Sequence, residues 1–198
     1  MMLDTLKEMG MGGAHIHCRD GMNNAYLGNE FMELVKYSNK KMRTLGMRTY
    51  LYDEDRWPSG SAGGYVTKEA RYRMRFLVFS PVCITQKIEN EYYSMSALPI
   101  RSENRTLLAR YQVKLLDGWL EDYQRIAIDE KIKEGYEEWF AYLEISGDSP
   151  AFNNQAYVNT LDKRAIDRFI EVTHEAYAKS VGDEFGQSIY TMFTDEPQ

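Results

Sequence analysis

Asp53-Glu54-Asp55-Arg56-Trp57 stands between an apolar run, TYLY (49–52), and a stretch of small residues, PSGSAGG (58–64). Carboxylates that can hold or release a proton, an arginine fork that donates to hydroxyls and an indole with a flat apolar face are the groups a sugar ring needs. The run SGSAGG would let backbone approach a ligand closely. It lacks the Gly-Lys-Ser/Thr ending of a phosphate-cradling loop, so a nucleotide is not expected there. The plainer reading of the same residues is a solvated turn, bent by Pro58 and Gly60.

A second acidic tip is Asp195-Glu196-Pro197, reached straight from the apolar run SIYTMF (188–193) and Thr194. Glu196 precedes a proline and is expected in an extended backbone. A glutamate partly shielded from water at a strand end can serve as a general acid. Glycoside hydrolysis requires two carboxyls, about 5–5.5 Å apart for retention or about 6.5–9.5 Å for inversion. Glu196, Asp195, Asp53, Glu54 and Asp55 are the candidates, and the sequence leaves the pair open. In GAHIHC (13–18), His15 and His17 alternate and so share one face of a strand. His17, nearer the strand end, is the candidate for substrate contact. Two histidines with no third ligand at a fixed spacing give no metal signature, so no cofactor is expected from the residues themselves.

The elements that must position these residues begin with GAHIHC as a strand. A helix follows, with Asn29 as its cap, Phe31, Leu34, Val35, Met42 and Leu45 at helical spacing, and Gly46 as a left-handed stop. MRTYLY (47–52) is the next strand, and a helix between two strands makes them parallel. Lys68 to Arg75 fits a short helix. FLVFSPVCI, EYYSMSALPI, LLARYQVKLL and WLEDYQRIAI then look like strands, with Asp117-Gly118 as a two-residue hairpin signal. This block, 76–135, is expected to be an antiparallel insertion. EWFAYLEIS (138–146) is expected as a third parallel strand, Leu161 to Val181 as a helix ending at Gly182, and SIYTMF as a fourth parallel strand. The fold class expected is α/β: a single domain over 1–198 built as a partial (β/α)8 barrel of about four parallel strands. In such barrels the chemistry sits at the C-terminal ends of the strands.

GGAHIHCRDGMNNAYLGNEFMELVKYSNKKMRTLGMRTYLYDEDRWPSGSAGGYVTKEARYRMRFL and FIEVTHEAYAKSVGDEFGQSIYTMFTDEP resemble the first half of the catalytic barrel of bacterial α-L-rhamnosidase-like glycoside hydrolases, family 106 and its relatives. The resemblance implies a sugar hydrolase with Glu196 in the place of a catalytic carboxylate. It implies that His17 and the loop Asp53, Glu54, Asp55, Arg56 and Trp57 surround the sugar. Enzymes of this type can hold calcium, which is implied by the resemblance alone. Ala151-Phe152-Asn153 and Tyr157-Val158-Asn159 stand where the resemblance leads one to expect a tryptophan and an aspartate. The alternative reading is a non-catalytic carbohydrate-binding or truncated barrel portion that lacks the second carboxylate.

Bulk properties are compatible with either reading. The 198 residues carry a net charge of −6, with 43% hydrophobic and 27% charged residues, as in an ordinary globular protein. No face concentrates lysine and arginine, so a nucleic-acid partner is not expected. The 15 tyrosines suit sugar surfaces and protein cores alike. Two cysteines make no disulfide framework, and there is no apolar run of transmembrane length and no secretory leader in the chain as given, so a cytoplasmic protein with no membrane partner is expected. Four parallel strands are half a barrel and leave sheet edges uncovered. The chain is therefore expected to be part of a longer protein or to form a homo-oligomer through those edges.

Overall fold

The computed structural model describes residues 2–18, 21–84 and 99–198. It is a mixed α/β structure with two sheets. The parallel sheet has three strands in the order β1 (Gly13–Ile16), β2 (Arg48–Tyr52) and β7 (Ile189–Phe193). The antiparallel sheet has four, in the order β3 (Arg75–Ser80), β6 (Glu137–Ile145), β4 (Arg105–Leu116) and β5 (Trp119–Ile126). A short helix, α1 (Met2–Glu8), precedes β1, and α2 (Asn29–Thr44) joins β1 to β2.

α2 buries Phe31, Met32, Val35, Asn39 and Met42, a stripe at helical spacing. Leu34, expected in that stripe, is exposed, and Met32 takes its place. The helix starts from Gly28, which has no side-chain cap, so Asn29 is its first residue and not its cap. Its end follows the expected form. Gly46 has φ +66°, its N–H donates to the Arg43 carbonyl at 3.0 Å and the Met47 N–H donates to the Met42 carbonyl at 2.9 Å, which stops the helix with its last carbonyls satisfied. Asp117 and Gly118, both at positive φ, close the β4–β5 hairpin.

The segment expected as a third parallel strand is instead β6, an interior strand of the antiparallel sheet. The reason lies in its charges. A strand covered on both faces in a parallel sheet is close to continuously apolar, whereas β6 carries Glu137, Glu138 and Glu144. The antiparallel unit therefore runs from Arg75 to Ile145, beyond the 76–135 expected. It leaves and rejoins the rest of the fold at one place, because Arg75 faces Ile145 across the first and last strands. The strand expected over 91–100 lies outside the described residues up to 98. Lys68 to Arg75 holds only a single 3-10 turn, Ala70–Tyr72.

The long helix expected over 161–181 is two helices, α3 (Lys163–Val172) and α4 (His174–Val181). They break at Thr173, whose hydroxyl donates to the Phe169 carbonyl one turn back at 2.7 Å. Threonine bonding back in this way bends helices. α2, α3 and α4 cover one face of the parallel sheet, where Phe31, Val35, Leu51, Phe169, Tyr177 and Ile189 meet. No helix among the described residues is long and apolar enough to cross a membrane.

The two cysteines differ in setting. Cys18 lies in the core beside Leu51 and Tyr177, and burial, with the Asp55 and Glu54 charges adding to it, pushes its thiol up to about 12. Cys83 is exposed. Since the thiolate is the reactive form, iodoacetamide at pH 8 is expected to label one thiol in the folded protein, at Cys83, and both in denaturant. Native modification of Cys18 at a comparable rate would contradict this assignment.

Candidate functional site

The C-terminal ends of β2 and β7 lie side by side and point the same way. The Asp53 N–H donates to the Phe193 carbonyl at 3.2 Å, and beyond the strands the Ser59 N–H donates to the Asp195 carbonyl at 2.9 Å. The two acidic tips therefore lie side by side at one end of the parallel sheet. Trp57 indole Nε1–H donates to Glu196 Oε2 at 3.1 Å, which joins the loop after β2 to the end of β7 through two candidate residues.

Alternation along β2 decides where the first acid goes. Thr49 and Leu51 face the helices, so Asp53, two residues on, faces them too. Its carboxylate is fully buried. Ser59 hydroxyl donates to Oδ1 at 2.7 Å, Thr194 hydroxyl donates to Oδ2 at 2.5 Å, and His174 Nε2 of α4 lies 3.0 Å from Oδ2. Asp53 thus fastens β2, β7 and α4 to one another on the helix-covered side of the sheet. His174, Ser59 and Thr194 have no local signal in the sequence. Only the period of two, carried on from Leu51, pointed toward a partner on a helix.

Glu54 is also buried, at 1% exposure. Its Oε1 accepts the N–H groups of Asp55 and Gly63, and its Oε2 those of Gly60, Ser61 and Ala62, at 2.5 to 3.0 Å. What the small residues of SGSAGG approach closely is therefore this carboxylate, not a ligand. Burial pushes the Glu54 carboxyl up to about 7, and the amides of Gly63, Asp55, Ala62 and Gly60 pull it down. Every one of these partners is a donor, so the loop is built around the ionised form. Five donors leave Glu54 no capacity for a sugar contact.

The remaining candidates stand nearer the surface. Asp55 Oδ2 accepts from Asn153 Nδ2 at 2.7 Å, and Arg56 Nε is 3.4 Å away from it. Asn153 sits at φ +55° directly after Phe152, which is buried in the core, so this loop is packed against the one after β2. Asp195 is half-buried and held through its backbone, its N–H donating to Ser59 Oγ at 2.9 Å. Glu196 is exposed, so the partial shielding expected of it is absent, and its φ of +41° replaces the extended conformation expected before a proline. The chain is tied on either side of it, by Asp195 to Ser59 and by the Gln198 N–H to Tyr157 hydroxyl at 2.9 Å, and the turn between these ties sets the angle. Trp57 precedes Pro58 across a cis peptide bond.

His17 and His15 share a face, as alternation required. It is the face of the parallel sheet away from the helices, where His17 packs on Tyr52 (ring centroids 3.9 Å apart) and His15 stacks on Tyr50 (5.0 Å). Phe193 meets both histidines edge-on and stacks on Tyr52. The face of the parallel sheet away from the helices thus carries an aromatic layer, with Tyr52 fully buried in it. Among the described residues, no cluster of three or more His, Cys, Asp or Glu is placed to hold a metal ion. Comparisons with protein-family models, curated proteins and solved structures give no match.

Proposed function

We propose that the chain forms the sugar-facing part of a (β/α)-barrel glycoside hydrolase, with Glu196 as general acid and Trp57 as the plate against the sugar ring. One observation carries this reading: the Trp57–Glu196 hydrogen bond, which brings an indole and a solvent-reaching carboxylate from residues far apart in sequence together at the ends of parallel strands. Strand ends of this polarity are where barrel enzymes place their chemistry. An indole face next to an acid meets both needs of glycoside cleavage, since the plate holds the ring's C–H face and the acid protonates the departing oxygen. Asp195, half-buried and next to Glu196 in the chain, is the candidate for the second carboxyl. His17, half-buried against the Tyr52 ring, is the candidate for a further sugar contact. Among the described residues β1 and β7 are the outer strands of the parallel sheet, and their edges are the surfaces that further barrel units or a second copy of the chain would cover.

A second reading is a sugar-binding site without turnover. It is favoured by the saturation of Asp53 and Glu54, which removes two of the five carboxylates from the chemistry. Aryl glycosides, α-L-rhamnosides among them, separate the two. Under the hydrolytic reading the chain releases the aryl alcohol, and Glu196→Gln lowers the rate by about 10²–10⁴-fold. Release that is unaffected by Glu196→Gln, or absent from every aryl glycoside, would remove the hydrolytic reading. Calorimetric binding of sugars with no release would leave the binding one standing.

A further inference from the structure

The loop after β2 has a second flank, away from Glu196. A cavity of about 330 Å³ lies there, between the loop that follows β1 and the segment around Asn153. Its walls include Asn24, Asp55, Arg56, Tyr65 and Asn153, and no residue of the β7 end lines it. We propose that this cavity binds a single neutral sugar ring through two adjacent hydroxyls. The proposal deepens the carbohydrate reading above and rests on it.

Three features select that ligand. The first is charge: among the described residues, the lining holds one acid and one arginine, Asp55 and Arg56, in contact with each other at 3.4 Å. They balance, so the wall favours an uncharged polar molecule over an anion or a cation. The second is hydrogen-bonding pattern. Asp55 accepts only, arginine donates only, the Asn24 amide does both, and Asn153, whose NH₂ group donates to Asp55 Oδ2 and to the Gly63 carbonyl, offers its amide oxygen, so the wall presents acceptors together with donors. Neighbouring hydroxyls, each able to donate and accept, match such an arrangement. Asp55 is itself fixed, at 9% exposure and bonded to Asn153 at 2.7 Å, so its geometry is set before a ligand arrives. The third is shape. Tyr65 keeps 40% of its surface exposed at the cavity wall, where its ring can cover the C–H face of a sugar. The volume is at the lower end for small-molecule sites, which suits one ring and not an oligosaccharide.

The packing of the wall supports a site that keeps its form. Gly63 has φ +61°, and a Cβ there would come within 3.2 Å of both Asp55 Cβ and the Tyr26 ring, so backbone comes as close to Asp55 as it can.

Titration calorimetry of the full chain with neutral hexoses and pentoses, and with glucuronate and glucosamine as charged counterparts, tests the proposal. Neutral sugars are expected to bind, and the charged ones at least about tenfold more weakly. Asn24→Ala and Tyr65→Ala, on different segments, are each expected to weaken binding about tenfold with the urea midpoint unchanged. The proposal is overturned if no neutral monosaccharide binds at concentrations up to about 10 mM, if charged sugars bind as well as neutral ones, or if both variants bind like the parent. The two proposals fail separately. Sugar binding that depends on Asn24 and Tyr65, with no aryl glycoside cleaved, keeps this site and removes hydrolysis. Cleavage that depends on Glu196, with Asn24→Ala and Tyr65→Ala both like the parent in binding, keeps hydrolysis and removes this site.

Discussion

Glu54→Ala is expected to cost about 4 kcal/mol or more of folding stability, because it leaves five backbone N–H groups in a dry loop with nothing to receive them. Hydrogen bonds to a charged group are each worth about 1.5–3 kcal/mol, and the loop can relax to recover only part of the loss. Set against a typical total of about 5–15 kcal/mol, that is enough to unfold a large share of the molecules or to release the loop. Glu54→Gln is the sharper variant. It keeps the shape and one acceptor oxygen but turns an NH₂ group toward amides that also donate, either those of Asp55 and Gly63 or those of Gly60, Ser61 and Ala62. It is expected to be nearly as damaging as alanine. Urea denaturation followed by circular dichroism measures both. A Glu54→Gln unfolding free energy within about 1 kcal/mol of the parent would show that the carboxylate's charge is not what organises the loop.

Gly60→Ala is expected to destabilise by about 2–4 kcal/mol, for reasons of shape and not of charge. Gly60 has φ +141°, a conformation that residues with a side chain rarely adopt, and an added Cβ would lie 2.5 Å from Val158 Cγ1. Val158 is completely buried, with the ring of Tyr157 close behind, so the neighbour has no room to yield. Strain and overpacking therefore act together. Gly118→Ala is the control: its φ is also positive, at +82°, but an added Cβ would meet nothing within 4 Å. Thermal unfolding should separate the two, with the larger loss at Gly60. Equal losses at both positions would show that backbone conformation alone accounts for the effect.

Both variants bear on what the glycine- and serine-rich stretch is for. The composition of SGSAGG marks a place where backbone comes close to something, and that much is legible from sequence. It is silent on what is approached. A carboxylate on the same loop and the segment 152–158 both press against it, and a ligand would have left the same trace. The acids show the same limit. Asp53, Glu54 and Asp55 are equivalent as letters, yet one is fastened to a helix, one is enclosed by amides and one borders a cavity.

The sequence by itself determined the local forms: β1, α2 and β2 in order, the glycine stop at Gly46, the Asp117-Gly118 hairpin and the antiparallel character of most of the middle block. These follow from hydrophobic period, turn chemistry and positive φ, which residues a few positions apart decide among themselves. Tertiary structure alone decided that β6 pairs with β3 and β4 and that Trp57 meets Glu196. Those outcomes depend on partners tens to more than a hundred residues away. The alternation of a strand states which side chains share a face, and it is the same whichever strand comes to lie alongside.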